Sequence, residues 1–288
     1  MLESISLAVA FICSSIAAAF DLKTTEIPDE IPYVMMAVGL IFAGAQSYYQ
    51  WSYLPILSSS IAGFGLLGFG FLMYYFGQWG GGDAKILSGI GFLLPSMPSI
   101  FKVELMFPFP VSYLINVFLI GAAYMLAYVF VLSFLNRKII FEFKKDLKAI
   151  SNVLFVCSAV LFLAFVGINF YLSKTFQVPF TAGLLVKNSL LPFIGTLVLF
   201  LIWKFAKVVE NVGFKKKIPT SKLRVGDVLL ESKVWEGITE KDLKKIKKSG
   251  KRFVVIKEGV RFGPSFPLAL LFTLYFGDGL LLLMKFLI

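Results

Sequence analysis

The sequence has no histidine, only two cysteines and few charges, and each shortage narrows the chemistry open to it. Without histidine, imidazole acid–base catalysis and histidine metal ligation are excluded. Cys13 and Cys157 lie far apart inside apolar tracts, so neither a CxxC zinc site nor a disulfide framework is expected. Charged residues are 16% of the 288, apolar residues 58%, and the mean hydropathy is +0.83. That balance places most of the chain in lipid. Any chemistry must come from carboxylates, lysines, hydroxyls or the backbone, and no metal or cofactor is expected.

Apolar tracts run over 4–20, 31–47, 55–77, 85–101, 112–135, 152–172, 189–208 and 265–287. A membrane-crossing helix needs about 20 such residues, whereas barrel strands would alternate in polarity. The fold expected is an all-α polytopic membrane protein of about eight transmembrane helices. Two tracts are weaker: 85–101 is short and carries Pro95 and Pro98, and 265–287 contains Asp278. The first tract has Ala17, Ala18 and Ala19 in the manner of a signal-peptide cleavage site, but Glu3 stands where a basic start belongs, so it is read as a retained helix.

The formal net charge of +11 is concentrated. Between Lys204 and Arg261 there are 17 Lys and Arg against 7 Asp and Glu. A basic segment between apolar tracts reads as a cytoplasmic loop attracted to anionic headgroups, so membrane lipid rather than nucleic acid is the expected partner of this charge. Residues 136–151, with Arg137, Lys138, Lys144, Lys145 and Lys148, read as another cytoplasmic loop, while the alternate loops hold only Lys102, Lys174 and Lys187. Eight spans with both termini outside satisfy the pattern, and put the loops at Asp21 and Asp83 on the same, cytoplasmic, side.

The organisation expected is membrane helices over 1–135 and 136–210, a small basic cytoplasmic α+β domain over 211–263 and a C-terminal membrane helix over 264–288. Within the small domain, Lys222–Ser232 reads as strand and turn. Thr239 and Asp242 form a capping-box start for a helix through Lys248, Gly250 ends it, and Arg252–Lys257 reads as a strand.

Two carboxylates stand out. Asp21 closes the first tract and opens DLKTTEIPDEIP; Asp83 closes Gly80-Gly81-Gly82-Asp83, followed by Lys85. A lone aspartate at a tract end also serves as a membrane boundary, and a glycine run also serves as a hinge. Consecutive glycines each cost a helix about 1 kcal/mol against alanine, and their use is to let another backbone approach, as a docking extended peptide must. Two aspartates brought together cannot both ionise at neutral pH, and a pair sharing one proton is the machinery of aspartic proteases. Glu26, Asp29 and Glu30 make the first loop acidic against the basic trend: a solvated loop, or a receptor for a basic peptide.

Asp21 with Lys23 and Ile27-Pro28-Asp29, then Gly80-Gly81-Gly82-Asp83 with Lys85, resemble the two signatures of the GxGD aspartyl peptidases of the type IV prepilin peptidase family, and KEGVRFGPSFPLAL, ending at Leu270, is similar to the archaeal branch. The resemblance is strongest over 15–90 and 257–288. It implies a membrane-interface endopeptidase, its active site facing the cytoplasm, that removes the short basic leader of preflagellin (archaellin) or prepilin precursors. Asp21 and Asp83 would be the catalytic pair; Gly80, Gly81, Gly82, Lys23, Glu26, Asp29, Glu30 and Lys85 would line the substrate site. Bacterial members add a four-cysteine zinc site and an N-methyltransferase activity; with two cysteines, peptidase activity alone is expected here. The smallest archaeal members have six helices, fewer than the eight counted.

Two alternatives stay open. The presenilin and signal-peptide-peptidase group shares GxGD, but Pro267-Leu268-Ala269-Leu270 only approaches its Pro-Ala-Leu element, and Phe20 stands where that group has Tyr. An ion-coupled transporter could relay cations through Asp21, Asp83 and Asp278, yet the paired repeats of such folds are missing. Oligomeric state is not addressed by the sequence.

Overall fold

The computed structural model describes residues 2–103, 105–177, 181–232, 237–257 and 261–287; of KEGVRFGPSFPLAL, Glu258, Gly259 and Val260 lie outside these. In chain order the elements are α1 (Leu2–Thr24), α2 (Glu30–Gln50), α3 (Leu54–Tyr75), α4 (Gly81–Leu93), α5 (Phe109–Leu135), α6 (Arg137–Thr175), α7 (Ala182–Val209), β1 (Lys215–Pro219), β2 (Val228–Leu229), α8 (Glu240–Lys248), β3 (Phe253–Lys257), α9 (Ser265–Phe276) and α10 (Gly279–Leu287). Two compact units result: Met1–Tyr128 with Lys216–Ile288, and Val129–Lys215.

Among the described residues six helices are long and apolar enough to cross a membrane, α1, α2, α3, α5, α6 and α7, or seven spans if α9 and α10 count as one. The chain is an integral membrane protein by this measure. The expected eight are not all reached. The tract at 85–101 becomes α4, whose 13 residues rise only about 20 Å against the roughly 30 Å of hydrocarbon. It stops just ahead of Pro95, since the ring restricts the residue before it. Beyond α4, Ser99 donates to Glu3 at the far end of α1 through N and Oγ (3.2 and 2.7 Å). The tract at 265–287 is broken between α9 and α10 by a bend of 57°. Gly277 adopts φ 73° there, and Asn116 of α5 splices the break: its Nδ2 donates to Thr273 Oγ1 (2.9 Å) and Gly277 O (2.8 Å), and its Oδ1 accepts from Gly279 N (2.9 Å). Asp278 sits in this break, buried, with Oδ2 accepting from Met106 N.

In the first unit α4 is wedged among α1, α2 and α3, and glycines let it in. An added Cβ would lie 2.4 Å from the Phe92 ring at Gly63, 2.7 Å from Ala84 Cα at Gly70, 2.7 Å from the Phe92 backbone at Gly39 and 2.8 Å from Ala62 O at Gly91. Small residues that allow close backbone approach are what drives helix association in lipid, where burying apolar surface gains little. Ser59 Oγ to Phe92 O (2.7 Å) and Ser88 Oγ to Gly63 O (2.9 Å) add interhelical hydrogen bonds. The core so formed takes in Met35, Leu87, Ile90, Tyr113, Val117, Phe266 and Leu270.

The small sheet has the order β1-β3-β2, with β2 and β3 antiparallel and Val228 opposite Lys257. The helix expected from Thr239 is present as α8, with Thr239 Oγ1 accepting from Asp242 N and Asp242 Oδ2 accepting from Thr239 N. Gly250, at φ 72°, follows it. Of the Lys222–Ser232 stretch only Val228 and Leu229 are strand, and β1 is a strand that the alternation of apolar residues did not mark. Leu223, Ile238 and Ile256 make its core, with Leu243 and Ile246 of α8 against them.

The second unit is a helical hairpin of α6 and α7. Of residues 136–151, expected as a loop, Asn136 caps the 39-residue α6 and the rest form its first 15 residues. The reason is visible in IIFEFKKDLKAI: helix-favouring Lys and Leu with apolar residues at helical spacing, begun by Asn136, whose Oδ1 accepts from Lys138 N (3.3 Å). Asn169 Nδ2 donates to Ser189 Oγ (3.0 Å) and Lys204 pairs with Asp146 (3.1 Å) across the hairpin.

Candidate active site

Asp21 lies in the last turn of α1 and is 6% exposed. Its Oδ2 accepts a 2.7 Å hydrogen bond from the N–H of Gly263, in the segment just before α9. Gly263 has no substitute: a Cβ there would come within 2.8 Å of Asp21 Cβ and 2.9 Å of its Oδ2. Arg261, two residues earlier, is close enough for its charge to act on Asp21.

Asp83 is in the first turn of α4. Its Oδ2 accepts from the N–H of Gly80, at 3.0 Å, which ties the carboxylate back to the residue that opens the helix. Gly80 itself is extended, at φ −77° and ψ 158°. Asp83 keeps partial surface exposure, yet its carboxylate is densely enclosed. Burial, and then the neighbouring Asp21 charge, push its pKa from the ordinary carboxylate range to about 7, with the Gly80 N–H opposing the rise. The two carboxylates, 62 positions apart in sequence, are thus within electrostatic reach of each other.

The three glycines have different surroundings. A Cβ on Gly82 would fall 2.9 Å from Ile27 Cβ, so this glycine serves packing against the first loop, a use the docking-peptide expectation did not include. On Gly80 it would meet Asp83 Oδ2 at 3.3 Å, and on Gly81 nothing nearer than the Tyr74 ring at 3.9 Å. Gly81 alone of the three leaves open room.

The other expected residues are spread around this centre. Lys85 pairs with Asp29 at 2.7 Å and lies over the Tyr33 ring at 5.2 Å, so one acidic member of the first loop is already engaged. Glu26 Oε1 would be 3.2 Å from a Cβ on Gly226, which places its carboxylate against the turn before β2. Lys23 and Glu30 are exposed, at the end of α1 and the start of α2. Among the described residues no group of three or more His, Cys, Asp or Glu could hold a metal.

Sequence reasoning missed Gly263 and the residue before it. The signal was its place in KEGVRFGPSFPLAL, the stretch similar to the archaeal branch, to which no role was given; the partner lies 242 positions away.

Residues 8–135 match the sequence model of the type IV leader peptidase family. A prepilin peptidase of Methanothermobacter thermautotrophicus is 26% identical over 158 residues, which cover 51% of this chain and 41% of that protein. A preflagellin peptidase of Methanocaldococcus jannaschii is 41% identical over 81 residues (28% of this chain, 34% of that protein), and one of Methanococcus voltae is 38% identical over 94 residues (32% and 39%). The chain therefore spans about two fifths or less of the length of these relatives. It resembles archaeal preflagellin and prepilin peptidases, with Asp21 and Asp83 both inside the matched stretch.

Proposed function

We propose, from a chain whose residues 8–135 carry the type IV leader peptidase pattern, that this protein is an aspartyl endopeptidase removing the basic leader from preflagellin or prepilin precursors at the cytoplasmic membrane face. The observation that carries the reading is the pairing of Asp21 with Asp83, each with one oxygen held by a glycine N–H. At neutral pH such a pair keeps one proton. The ionised member takes a proton from water as the oxygen attacks the scissile carbonyl carbon, and the protonated member donates to the carbonyl oxygen. A proton then passes to the leaving nitrogen as the C–N bond breaks. These steps require no side-chain nucleophile.

The positions of Asp21, Asp83 and the loops around them support a substrate whose apolar helix lies in the bilayer and whose leader stays outside it. α2 and α3 lie between the two aspartates in sequence, which favours one membrane side for both. Glu26 and Glu30, exposed beside Asp21, and Gly81, with open space, are the groups left to meet the leader and the extended peptide; Lys85, Asp29 and Gly82 shape the site from behind, and Lys23 borders it. The basic small domain shares the cytoplasmic face with anionic lipid.

Membranes containing the protein, incubated with preflagellin and with prepilin precursors, should convert at least one to a faster-migrating product, and Asp21→Asn or Asp83→Asn should convert neither. Conversion by either variant would refute the paired-aspartate mechanism.

A further inference from the structure

Two dipeptides of like composition meet at the carboxylate pair. Trp79-Gly80 precedes α4, and Phe262-Gly263 precedes α9. In each the glycine N–H is donated to an aspartate Oδ2, Gly80 to Asp83 at 3.0 Å and Gly263 to Asp21 at 2.7 Å. In each, too, the preceding aromatic packs on its counterpart: the Trp79 and Phe262 rings are 5.7 Å apart between centroids. Both rings are held from outside. Phe118 of α5 stacks on Trp79 at 5.5 Å, Phe266 of α9 lies edge-on to both, and Gly121 of α5 makes room for Phe262, since a Cβ there would be 2.7 Å from its ring.

We propose that the two aromatic-glycine pairs form a clamp that sets the spacing of the aspartates: ring packing fixes the distance between the two glycine backbones, and each N–H fixes one oxygen of its carboxylate. The second oxygen of each is left for water and the peptide carbonyl. Trp79, Phe262 and Gly263 are positioning residues on this view, acting through Asp21 and Asp83 without touching substrate. Nothing in the local sequence of either dipeptide requires the match. A tryptophan or phenylalanine ahead of a glycine at a helix start is an ordinary core residue when alone, and the two rings touching each other is what joins their glycines into one device. The clamp rests on the peptidase reading for its purpose, while its effect on the carboxylates can be measured without substrate.

A misplacement of about 1 Å at reacting groups lowers rate up to roughly 100-fold. In the full chain, Gly263→Ala, which drives a methyl into Asp21, and Phe262→Leu, which loosens the ring pair, should therefore lower kcat roughly 10- to 100-fold with KM within about twofold of wild type. Trp79→Phe should retain most activity where Trp79→Ala does not. Gly121→Ala, which displaces the Phe262 ring without altering either aspartate or its glycine, should reproduce the Phe262→Leu effect.

The distinguishing readout is pH. An N–H donated to a carboxylate favours its ionised form, so weakening the Gly263 bond should move the acid limb of the rate profile upward by about half a pH unit or more. The charged and titratable groups facing Asp21 are Asp83 from α4, Arg261 from the segment before α9 and Tyr124 from α5, and the variants leave all three in place. Infrared titration of the carboxyl bands in the purified protein should show the same displacement in Gly263→Ala relative to wild type. That measurement stands even if the wild-type protein cleaves neither precursor, an outcome that would refute the peptidase reading and not the clamp. Folding of each variant is checked by its melting temperature in detergent. Folded Gly263→Ala and Gly121→Ala proteins with wild-type kcat and unmoved carboxyl titration would overturn the clamp, as would losses confined to KM.

Discussion

The bundle of α1–α4 and the hairpin of α6 and α7 are both built from apolar helices, yet they treat their surfaces oppositely. A third of the most apolar stretch of α1 is buried, and none of that of α6. Glycines at 39, 63, 70, 89 and 91 are pressed against neighbouring helices, whereas Gly167, Gly183 and Gly195 have nothing within 4 Å of an added Cβ. The bundle carries the buried Asp21 and the partly exposed Asp83, each tied to a glycine N–H; among the described residues the hairpin carries one cross-hairpin hydrogen bond and one ion pair over an outward-facing apolar surface. Tight packing follows the chemistry, and the lipid-facing hairpin is shaped mainly by length and hydropathy.

The sharpest test of the contrast removes one carboxylate from each region. Asp83→Asn should lower precursor cleavage by roughly 10³-fold or more, since the pair has no spare proton donor. Asp146→Asn breaks a partly exposed pair with Lys204 and should leave the rate within about twofold, exposed pairs being worth little. Both are scored by mobility shift. Next in size is packing: Gly63→Ala, with a Cβ 2.4 Å from the Phe92 ring, should destabilise by about 1–3 kcal/mol, and Gly195→Ala should be neutral or mildly stabilising, read from melting in detergent.

The pattern of what the sequence revealed follows the same division. Asp21 and Asp83 could be singled out because each stands at the edge of an apolar tract, the second behind three glycines, and α8 because Thr239 and Asp242 sit at capping-box spacing. The extent of α4 was not, because the apolar tract was read as 85–101, whereas the helix begins within the glycine run, with Gly82 packed against Ile27, and stops at Leu93 ahead of Pro95. α6 was halved because its basic start looked like a loop, although its apolar residues keep helical spacing. Gly263 stood in a stretch noted for its resemblance, but its role was not legible because its partner is remote; hydrogen bonds across 242 positions leave no local period to read.

A smaller effect is expected from pH. The folded protein holds the Asp83 proton more tightly than the unfolded chain, so the Asp83 contribution to stability declines as pH rises from the ordinary carboxylate range toward 7. The rate of cleavage should fall as pH passes about 7, when the pair gives up its remaining proton. An unchanged rate from pH 6 to pH 9 would contradict this; melting curves of Asp83→Asn should lack the pH dependence. Smallest is the acidic loop. Neutralising Glu26, Asp29 and Glu30 together should weaken precursor capture several-fold at low salt and less at high salt, with kcat little changed; exposed pairs contribute roughly 0–1 kcal/mol each and are screened. Because Asp29 is bound to Lys85, Asp29→Asn alone should contribute the least of the three.

The bond between Gly263 and Asp21 also has a consequence for biosynthesis. Asp21 leaves the ribosome early and Gly263 late, with 242 positions between them. At about 5–20 residues per second, roughly 12 to 50 s pass before the donor exists. Once Asp83 has been made, 62 positions after Asp21, the nascent chain has both aspartates but still lacks the N–H that fixes one of them. A chain whose translation stops before residue 263 lacks that bond, so the hold on the Asp21 carboxylate depends on the late-made segment ahead of α9.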